Sequence, residues 1–237
     1  MRRNPPSQQQ AGDATASPVR RRRKEARPQE LLAAALELFV EKGFAATRSE
    51  EVAARAGVSK GTVYLYYPSK EELFKAVVRE NLAAHIAEGV ETAAQHQGSM
   101  RELLEAFMHE WWERISTGPA GGISKIMMAE ARNFPDLAAF YMDEIILPTH
   151  QLVGTLLERG IAMGEFRPVP IAETVQILIS PLLQLVMFQQ AFGACSQHCP
   201  AMDPQVLLSA QLELMLHGLL AEPARAALET KKRSPRH

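Results

Sequence analysis

Apolar residues along the chain recur at the spacing of a helix, in blocks separated by glycine, proline and helix-capping residues. The first block begins at Pro28 and stops before Gly43, a residue that suits the C-terminus of a helix. Between these two positions, four apolar side chains share one helical face: Leu31, Ala35, Leu38 and Phe39. The pattern predicts a helix over about residues 28–43.

Two short helices are predicted next, because a capping residue stands at the start of each. Thr47 and Glu50 have the spacing of a capping box, and Gly57 marks the end of the helix that this box opens. Ser59 is the predicted N-cap of a third helix over about residues 60–67, which a proline then ends.

The rest of the chain is also predicted to be helical. Ser69 with Glu72 opens a fourth helix that extends to about residue 95. Further helical blocks lie at about 99–117, 123–133, 135–163, 171–192 and 204–220. Pro148 is expected to kink the helix that contains it, and Pro181 to interrupt the one after it. No segment alternates in the manner of a β-strand, so the predicted fold class is all-α.

The charge of the chain is divided between its two parts. Residues 1–75 carry 14 Lys and Arg against 9 Asp and Glu, whereas residues 76–237 carry 12 against 18. The whole chain has a formal net charge of −1 and 46% hydrophobic residues, as is usual for a globular protein. A basic front part and an acidic remainder predict different partners for the two, and nucleic acid suits the first.

Residues 1–27 and 231–237 are predicted to be disordered tails, because they are polar and contain few large apolar side chains. The first tail ends in the basic run Arg20 to Lys24. Two interpretations of this run stay open. It is either an arm that lies along DNA phosphates or enters a narrow minor groove, or a solvated segment without contacts.

The helix that ends at Gly57 and the helix that begins at Lys60 have the arrangement of a helix-turn-helix, whose second helix enters the major groove of DNA. Helical spacing places Val63 and Tyr67 on the inner side of this second helix. Hydroxyls, an ammonium and a glycine that allows close approach lie on the outer side and suit phosphates and base edges: Lys60, Gly61, Thr62, Tyr64, Leu65 and Tyr66. The alternative is a three-helix unit whose tyrosines only shield a core.

The segment ATRSEEVAARAGVSKGTVYLYYPSKEELF, within residues 28–75, resembles the N-terminal DNA-binding domain of the TetR/AcrR family of bacterial regulators. The resemblance implies a homodimer that binds a double-stranded, palindromic DNA operator through residues 28–75. A cytoplasmic location is predicted separately, from the lack of a disulfide framework and of an apolar signal core. The resemblance further implies that residues 76–230 bind a small-molecule effector and form the dimer. A ligand-responsive repressor is the function that it favours.

The resemblance also implies which residues meet DNA. These are Arg48, Ser49, Ser59, Lys60, Gly61, Thr62, Tyr64, Leu65, Tyr66 and Lys70, with Lys70 as a phosphate clamp. The chain departs from the family pattern at Tyr67, where Phe is commoner, and at Glu50 and Glu51, which place acid where a base is often found. Contacts from the second helix are therefore expected from Arg48 and Ser49 alone.

The family uses its last helices for dimerisation, so the resemblance implies this role for about 171–192 and 204–220. The apolar residues there would serve an internal core equally well. Between residues 100 and 166, large adaptable side chains suit a pocket for a hydrophobic or amphipathic effector, although each also suits an ordinary core. They are Met108, Trp111, Trp112, Met127, Met128, Phe140, Tyr141, Met142 and Met163.

Motifs for catalysis are absent from the sequence, so neither an enzyme nor a cofactor is predicted. His109 begins the stretch HEWWE, which lacks the second histidine of the zinc protease motif. Cys195 and Cys199, with His198 between them, make a metal- or redox-responsive regulator the alternative function, although a structural zinc site usually has four ligands. A helical enzyme with the N-terminal unit as a scaffold is the other alternative. Apolar runs are too short to predict a membrane partner.

Overall fold

The chain folds into helices in the order that the apolar pattern predicts. A computed structural model describes residues 18–116, 118–192 and 203–222, and over these ranges the helices are joined by short turns. The all-α fold class is thereby confirmed. The helices are α1 Pro18–Lys42, α2 Ser49–Arg55, α3 Lys60–Tyr66, α4 Lys70–Val78, α5 Ala84–Gln95, α6 Met100–Ser116, α7 Gly121–Glu130, α8 Pro135–Tyr141, α9 Leu147–Ala162, α10 Ile171–Phe192 and α11 Pro204–Leu219.

Helix α1 begins at Pro18, ten residues before the predicted start. The backbone of residues 18–27, including the basic run Arg20 to Lys24, is therefore helical in the structure and differs from the predicted disordered tail. Arg, Lys, Glu and Ala have high helix propensity, so this stretch can extend a helix that is anchored further on. Residues 1–17 and 231–237 of the predicted tails lie outside the described residues.

Two of the predicted N-caps are confirmed by side-chain hydrogen bonds. The Ser59 hydroxyl accepts the Thr62 backbone N–H at 3.1 Å and starts α3. The Ser69 hydroxyl accepts the Glu72 backbone N–H, also at 3.1 Å, and starts α4. Each cap satisfies a donor that would otherwise be unpaired in the first turn of its helix.

The predicted capping box at Thr47 is wrong. The buried Thr47 hydroxyl instead donates to the carbonyls of Leu38 at 3.1 Å and Gly43 at 2.7 Å, near the end of α1. Helix α2 starts one residue later, after Arg48, whose backbone N–H donates to the Glu51 carboxylate at 3.2 Å. Free carbonyls at the end of α1 offer Thr47 a partner that sequence spacing does not reveal.

Two helical segments widen into π-helical turns, at Arg79–Ala83 between α4 and α5 and at Met142–Ile146 between α8 and α9. The second π-turn comes directly before Pro148, which lies in the first turn of α9. Because proline has no N–H, it removes one bond of the α-helical ladder, and the wider turn accommodates the loss. Pro181, by contrast, lies inside α10 without interrupting it.

The helices form an N-terminal unit, α1 to α4, and a C-terminal bundle, α5 to α11. The core of the N-terminal unit contains Phe39, Phe44 and Phe74, whose rings are fully buried. Helix α10 packs against α7 and α9 in the C-terminal bundle. Among the described residues, α10 is the one helix whose length and composition would allow it to cross a membrane, as an apolar core helix would also do.

Candidate nucleic-acid interface and effector region

Helices α2 and α3 pack against each other through small and β-branched side chains. Val52 and Ala53 of α2 and Val63 of α3 are buried, so the inner side of α3 is fixed to the unit as predicted. Gly57 ends the turn region after α2 with φ of +66°, a conformation that residues with a side chain rarely adopt. The geometry is that of a helix-turn-helix with one side of α3 free.

The free side of α3 carries most of the residues predicted to meet DNA. Lys60 and Gly61 are exposed, and so are Tyr64, with 42% of its surface accessible, and Leu65, with 80% accessible. The half-buried Thr62 shares a hydrogen bond of 2.9 Å between its hydroxyl and that of Ser59. An exposed hydroxyl, phenol, ammonium and apolar side chain on one short helix suit the mixed surface of a major groove.

Tyr66 and Tyr67 occupy intermediate positions. Tyr66, predicted to face outward, is half-buried and packs against the core, because it lies three residues after the buried Val63 on the same helical face. Tyr67 is also half-buried and follows the end of α3, and its burial raises the pKa of its phenol. The ring centroids of the two tyrosines are 6.5 Å apart. The outward contact surface of α3 therefore consists of fewer residues than the sequence predicts.

Glu50, one of the two acids that depart from the family pattern, pairs with Lys60 of α3. Its carboxylate lies 2.5 Å from the Lys60 ammonium, which also lies 5.6 Å from the centroid of the Tyr64 ring. The contact with Lys60 lowers the pKa of Glu50, and it raises the pKa of Lys60 in turn. The second acid, Glu51, contacts the Lys42 ammonium at 2.6 Å.

At the start of α2 the two predicted contacts differ in exposure. Arg48 is exposed, whereas Ser49 is 93% buried as the first residue of the helix. Burial leaves the Ser49 hydroxyl little surface for a phosphate. Arg48 is thus the more accessible of the two.

Lys70, predicted as a phosphate clamp, is held inside the N-terminal unit. Its ammonium donates to the backbone carbonyls of Phe44 at 2.9 Å and Ala45 at 3.0 Å, and it lies 4.5 Å from the centroid of the Phe44 ring. These contacts brace the turn after α1. They use two of the three donors of the ammonium, which leaves one for a phosphate.

The family assignment follows from comparison with known proteins. The model for "Bacterial regulatory proteins, tetR family" matches residues 31–77, and the model for "Tetracyclin repressor-like, C-terminal domain" matches residues 94–193. The nucleoid occlusion factor SlmA of Pasteurella multocida is 32% identical over 157 residues, which are 62% of this chain and 74% of SlmA. The chain belongs to the tetR family of bacterial regulatory proteins. This TetR-family protein is accordingly a DNA-binding transcriptional regulator.

Two further relatives of the TetR-family regulator differ in what they share with it. The transcriptional activator FasR of Mycolicibacterium smegmatis is 38% identical over 81 residues, which are 33% of this chain and 37% of FasR. The crystal structure of FadR from Bacillus subtilis, in complex with stearoyl-CoA, has a TM-score of 0.63 at 20% identity. The match covers 81% of this chain and 98% of the FadR chain. FasR resembles this chain in sequence over part of its length, whereas FadR shows that the two proteins share a fold.

Glu50→Gln is expected to strengthen the DNA binding of the TetR-family regulator. The neutral amide would free the Lys60 ammonium from its ion pair, and it removes one negative charge beside the exposed side of α3. We expect affinity for a non-specific duplex to rise roughly two- to five-fold. The dependence of affinity on salt should steepen by up to about one unit of slope. Fluorescence anisotropy at several salt concentrations measures both.

The matched control is Glu41→Gln, which makes the same change of charge in the same unit. Glu41 pairs with Arg55 at 3.1 Å rather than with a residue of α3. An equal rise in affinity in both variants would show that net charge, and not the release of Lys60, is responsible.

The residues predicted for the effector pocket differ in their burial. Met108, Trp112 and Met127 are buried in the core, and Trp111, Phe140 and Tyr141 are half-buried. Met128, Met142 and Met163 are exposed. Neighbours on a helix point about 100° apart, so Met127 faces inward where Met128 faces outward.

Among the cavities formed by the described residues, two are lined by residues other than these nine. One, of about 280 Å³, lies between α1, the first π-turn and Pro119. The other, of about 270 Å³, lies between α6 and α11.

One polar contact inside the C-terminal bundle was not predicted. The Tyr141 hydroxyl lies 3.1 Å from the hydroxyl of Ser124, which is buried in α7. Burial raises the pKa of Tyr141, and the phenol is therefore neutral at physiological pH. In the sequence, the one sign of this contact was Ser124 itself, a polar residue on an otherwise apolar face of α7.

The proposed metal or redox site cannot be placed in the fold, since Cys195, His198 and Cys199 lie outside the described residues. Elsewhere, within residues 18–116, 118–192 and 203–222, no group of three or more His, Cys, Asp or Glu is positioned to hold a metal ion.

Proposed function

We propose that this TetR-family regulator is a homodimeric repressor, which releases a palindromic DNA operator when a small hydrophobic or amphipathic molecule enters the C-terminal bundle. The observation that carries the DNA-binding part is the free outer side of α3, with Lys60, Tyr64 and Leu65 exposed on it. The helix is held from behind by buried Val63, so its exposed side can enter a groove without loss of the fold.

An apolar surface that no other described residue covers supports the homodimer. Exposed apolar side chains lie on α10 and α11, two helices that contact each other: Ile177, Phe188, Phe192, Val206 and Leu214. Monomeric proteins seldom leave such a surface in water, and a second copy of the chain supplies a surface of the same chemistry. A two-fold axis through this face implies a palindromic operator, whose half-sites lie about 34–36 Å apart.

Leu214→Lys is expected to convert the dimer into a monomer. Leu214 is 76% exposed in the single chain and covered in the proposed dimer, so the substitution would bury a charge in the interface. Size-exclusion chromatography with light scattering measures the mass. Leu65→Lys is the matched control, since Leu65 is 80% exposed on α3, away from this face. A dimer in the Leu214 variant would place the interface elsewhere.

The packing of the C-terminal bundle supports release by an apolar effector. Met108, Trp112 and Met127 fill the bundle, so a molecule that enters must displace them and change the packing around them. Thioether side chains adapt their shape readily and suit such an exchange. FadR, which shares the fold, holds stearoyl-CoA, so this fold admits an amphipathic molecule.

The test begins with selection of genomic DNA fragments by the purified protein at physiological salt. Enrichment of one inverted-repeat motif supports the proposal, and the absence of any enriched motif contradicts it. A thermal-shift screen of hydrophobic and amphipathic compounds then identifies ligands, which should lower affinity for the selected DNA. Ligands that bind without changing this affinity would contradict release. Deletion of the gene should raise transcription next to the selected site; a fall would assign an activator, as FasR is named.

A further inference from the structure

An exposed ion pair connects the two helices of the helix-turn-helix. Glu50 is the second residue of α2, and one of its carboxylate oxygens lies 2.5 Å from the ammonium of Lys60, the first residue of α3. About half of each side chain is accessible, with 54% for Glu50 and 55% for Lys60. The pair therefore lies open to any molecule that approaches the exposed side of α3.

Neighbouring groups restrict the direction of the Lys60 ammonium. The ring of Tyr64 stands one helical turn further along α3, with its centroid 5.6 Å from this ammonium. The residue after Lys60 is Gly61, which adds no side chain next to the pair. Because Lys60 has both an anion and an aromatic ring as neighbours, it loses less conformational freedom on binding than a lysine without partners would.

The adjacent acid, Glu51, makes different contacts. Its carboxylate accepts the backbone N–H of Arg48 at 3.2 Å and lies 2.6 Å from the ammonium of Lys42 in α1. These contacts hold Glu51 at the start of α2 and against α1. Among the described residues, Glu50 is therefore the one of the two acids that pairs with α3.

Lys60 occupies a position from which a recognition helix reads DNA. In a helix-turn-helix, the first residues of the second helix contact base edges in the major groove. If a phosphate drew Lys60 away, the Glu50 carboxylate would be left unpaired next to the negatively charged backbone, which is unfavourable. A base pair that offers an acceptor to Lys60 and a donor to Glu50 satisfies both charges together.

The G·C base pair meets this requirement. Its major-groove edge presents guanine N7 and O6 as adjacent acceptors, and the N4 amino group of cytosine follows as a donor. Lysine pairs with the two guanine acceptors, and glutamate accepts from cytosine N4. In an A·T pair, the single donor lies between two acceptors, and both of them would repel a carboxylate. The order of donors and acceptors thus favours G·C over A·T.

We propose that Glu50 and Lys60 form one base-reading unit, which selects a G·C base pair at one position of each operator half-site. Lys60 donates to guanine O6 and N7, and Glu50 accepts from the N4 amino group of the paired cytosine. Glu50 is then a specificity-determining residue, because its charge opposes binding to DNA in general and is satisfied at the matching base pair. The inference rests on the proposed function, since it requires that α3 enters the major groove of an operator.

Replacement of single base pairs in the selected operator tests the base-reading unit. Fluorescence anisotropy with the full chain compares the parent with Glu50→Ala at each position. For the parent, we expect one G·C pair in each half-site whose replacement by A·T weakens binding about ten-fold. N4-methylcytosine in that pair removes the major-groove donor but keeps the base pair, and it should weaken binding by a similar factor. In Glu50→Ala, both effects should fall below about two-fold, while the other positions keep their effects.

Glu51→Ala is the matched control, because it removes the adjacent acid, which pairs with Lys42 of α1. Thermal unfolding checks that both variants are folded, and the control should keep the parent's sensitivity at the G·C position. If Glu50→Ala binds every duplex more tightly by the same factor and keeps the preference for G·C, Glu50 only repels phosphates and the inference is wrong.

The selected motif separates this inference from the proposed function. If the parent protein selects no motif, the proposed function fails, and the base-reading unit fails with it. If the parent selects a motif in which no G·C position depends on Glu50, the base-reading unit alone is overturned, and the DNA-binding part of the proposed function stands.

Discussion

Replacement of Lys60 and Tyr64 together by alanine is expected to abolish operator binding by this regulator without unfolding it. Both side chains are exposed on the free side of α3 and contact each other through the ammonium and the ring. Each lost contact to a base or phosphate should cost about 1–3 kcal/mol, so the double variant should bind at least about thirty-fold more weakly. The fold should persist, since the buried anchor Val63 is untouched.

Fluorescence anisotropy with the selected operator measures the loss, and thermal unfolding measures the fold. The control is Lys125→Ala with Met128→Ala, which truncates exposed residues of α7 in the C-terminal bundle. If the α3 variant binds within two-fold of the parent affinity and shows the same dependence on salt, α3 is not the recognition helix. The same loss in the control pair would point to an unspecific effect of surface truncation.

Phe44→Ala is expected to cause the largest loss of stability among single substitutions in the N-terminal unit, about 3–5 kcal/mol. The ring is fully buried, and its centroid lies 5.7 Å from that of Phe39, 5.2 Å from Phe74 and 4.8 Å from Phe134. Truncation opens a cavity among these rings and removes the ring surface under the Lys70 ammonium. It also breaks the apolar contact between the unit and the bundle.

Chemical denaturation followed by circular dichroism measures this loss. Phe44→Leu keeps part of the volume and should lose clearly less stability, which separates the cavity from the aromatic contacts. Leu147→Ala, at a side chain that is 46% exposed on α9, should change stability by less than about 0.5 kcal/mol. Equal losses in Phe44→Ala and Leu147→Ala would contradict the assignment of Phe44 to a shared core.

The course of the helices was predictable because its causes are local. Ser59 and Ser69 satisfy backbone donors three residues ahead, and Gly57 supplies a conformation that other residues rarely adopt. Thr47 was misassigned because its partner, the carbonyl of Leu38, belongs to the helix before it.

The candidate site was predictable only in part. The outward position of Lys60, Tyr64 and Leu65 follows from helical spacing alone. Helical spacing did not reveal which charged side chains form contacts within the protein. Lys60 pairs with Glu50, and Lys70 donates to the carbonyls of residues 44 and 45. The effector residues were the least predictable, because Met and Trp at helical spacing are found equally in a packed core and around a ligand.

By itself, the sequence determined the helices, the helix-turn-helix and the family, because capping, periodicity and turn chemistry act over a few residues. Only the tertiary structure decided which side chains pair across the fold. Arg79 and Glu144 form an ion pair across 65 residues of sequence, and no sequence motif predicts that they pair. Phe134 likewise enters the cluster around Phe44 from the C-terminal bundle. Such contacts depend on how whole helices pack, and packing is set by shape and burial summed over the entire chain.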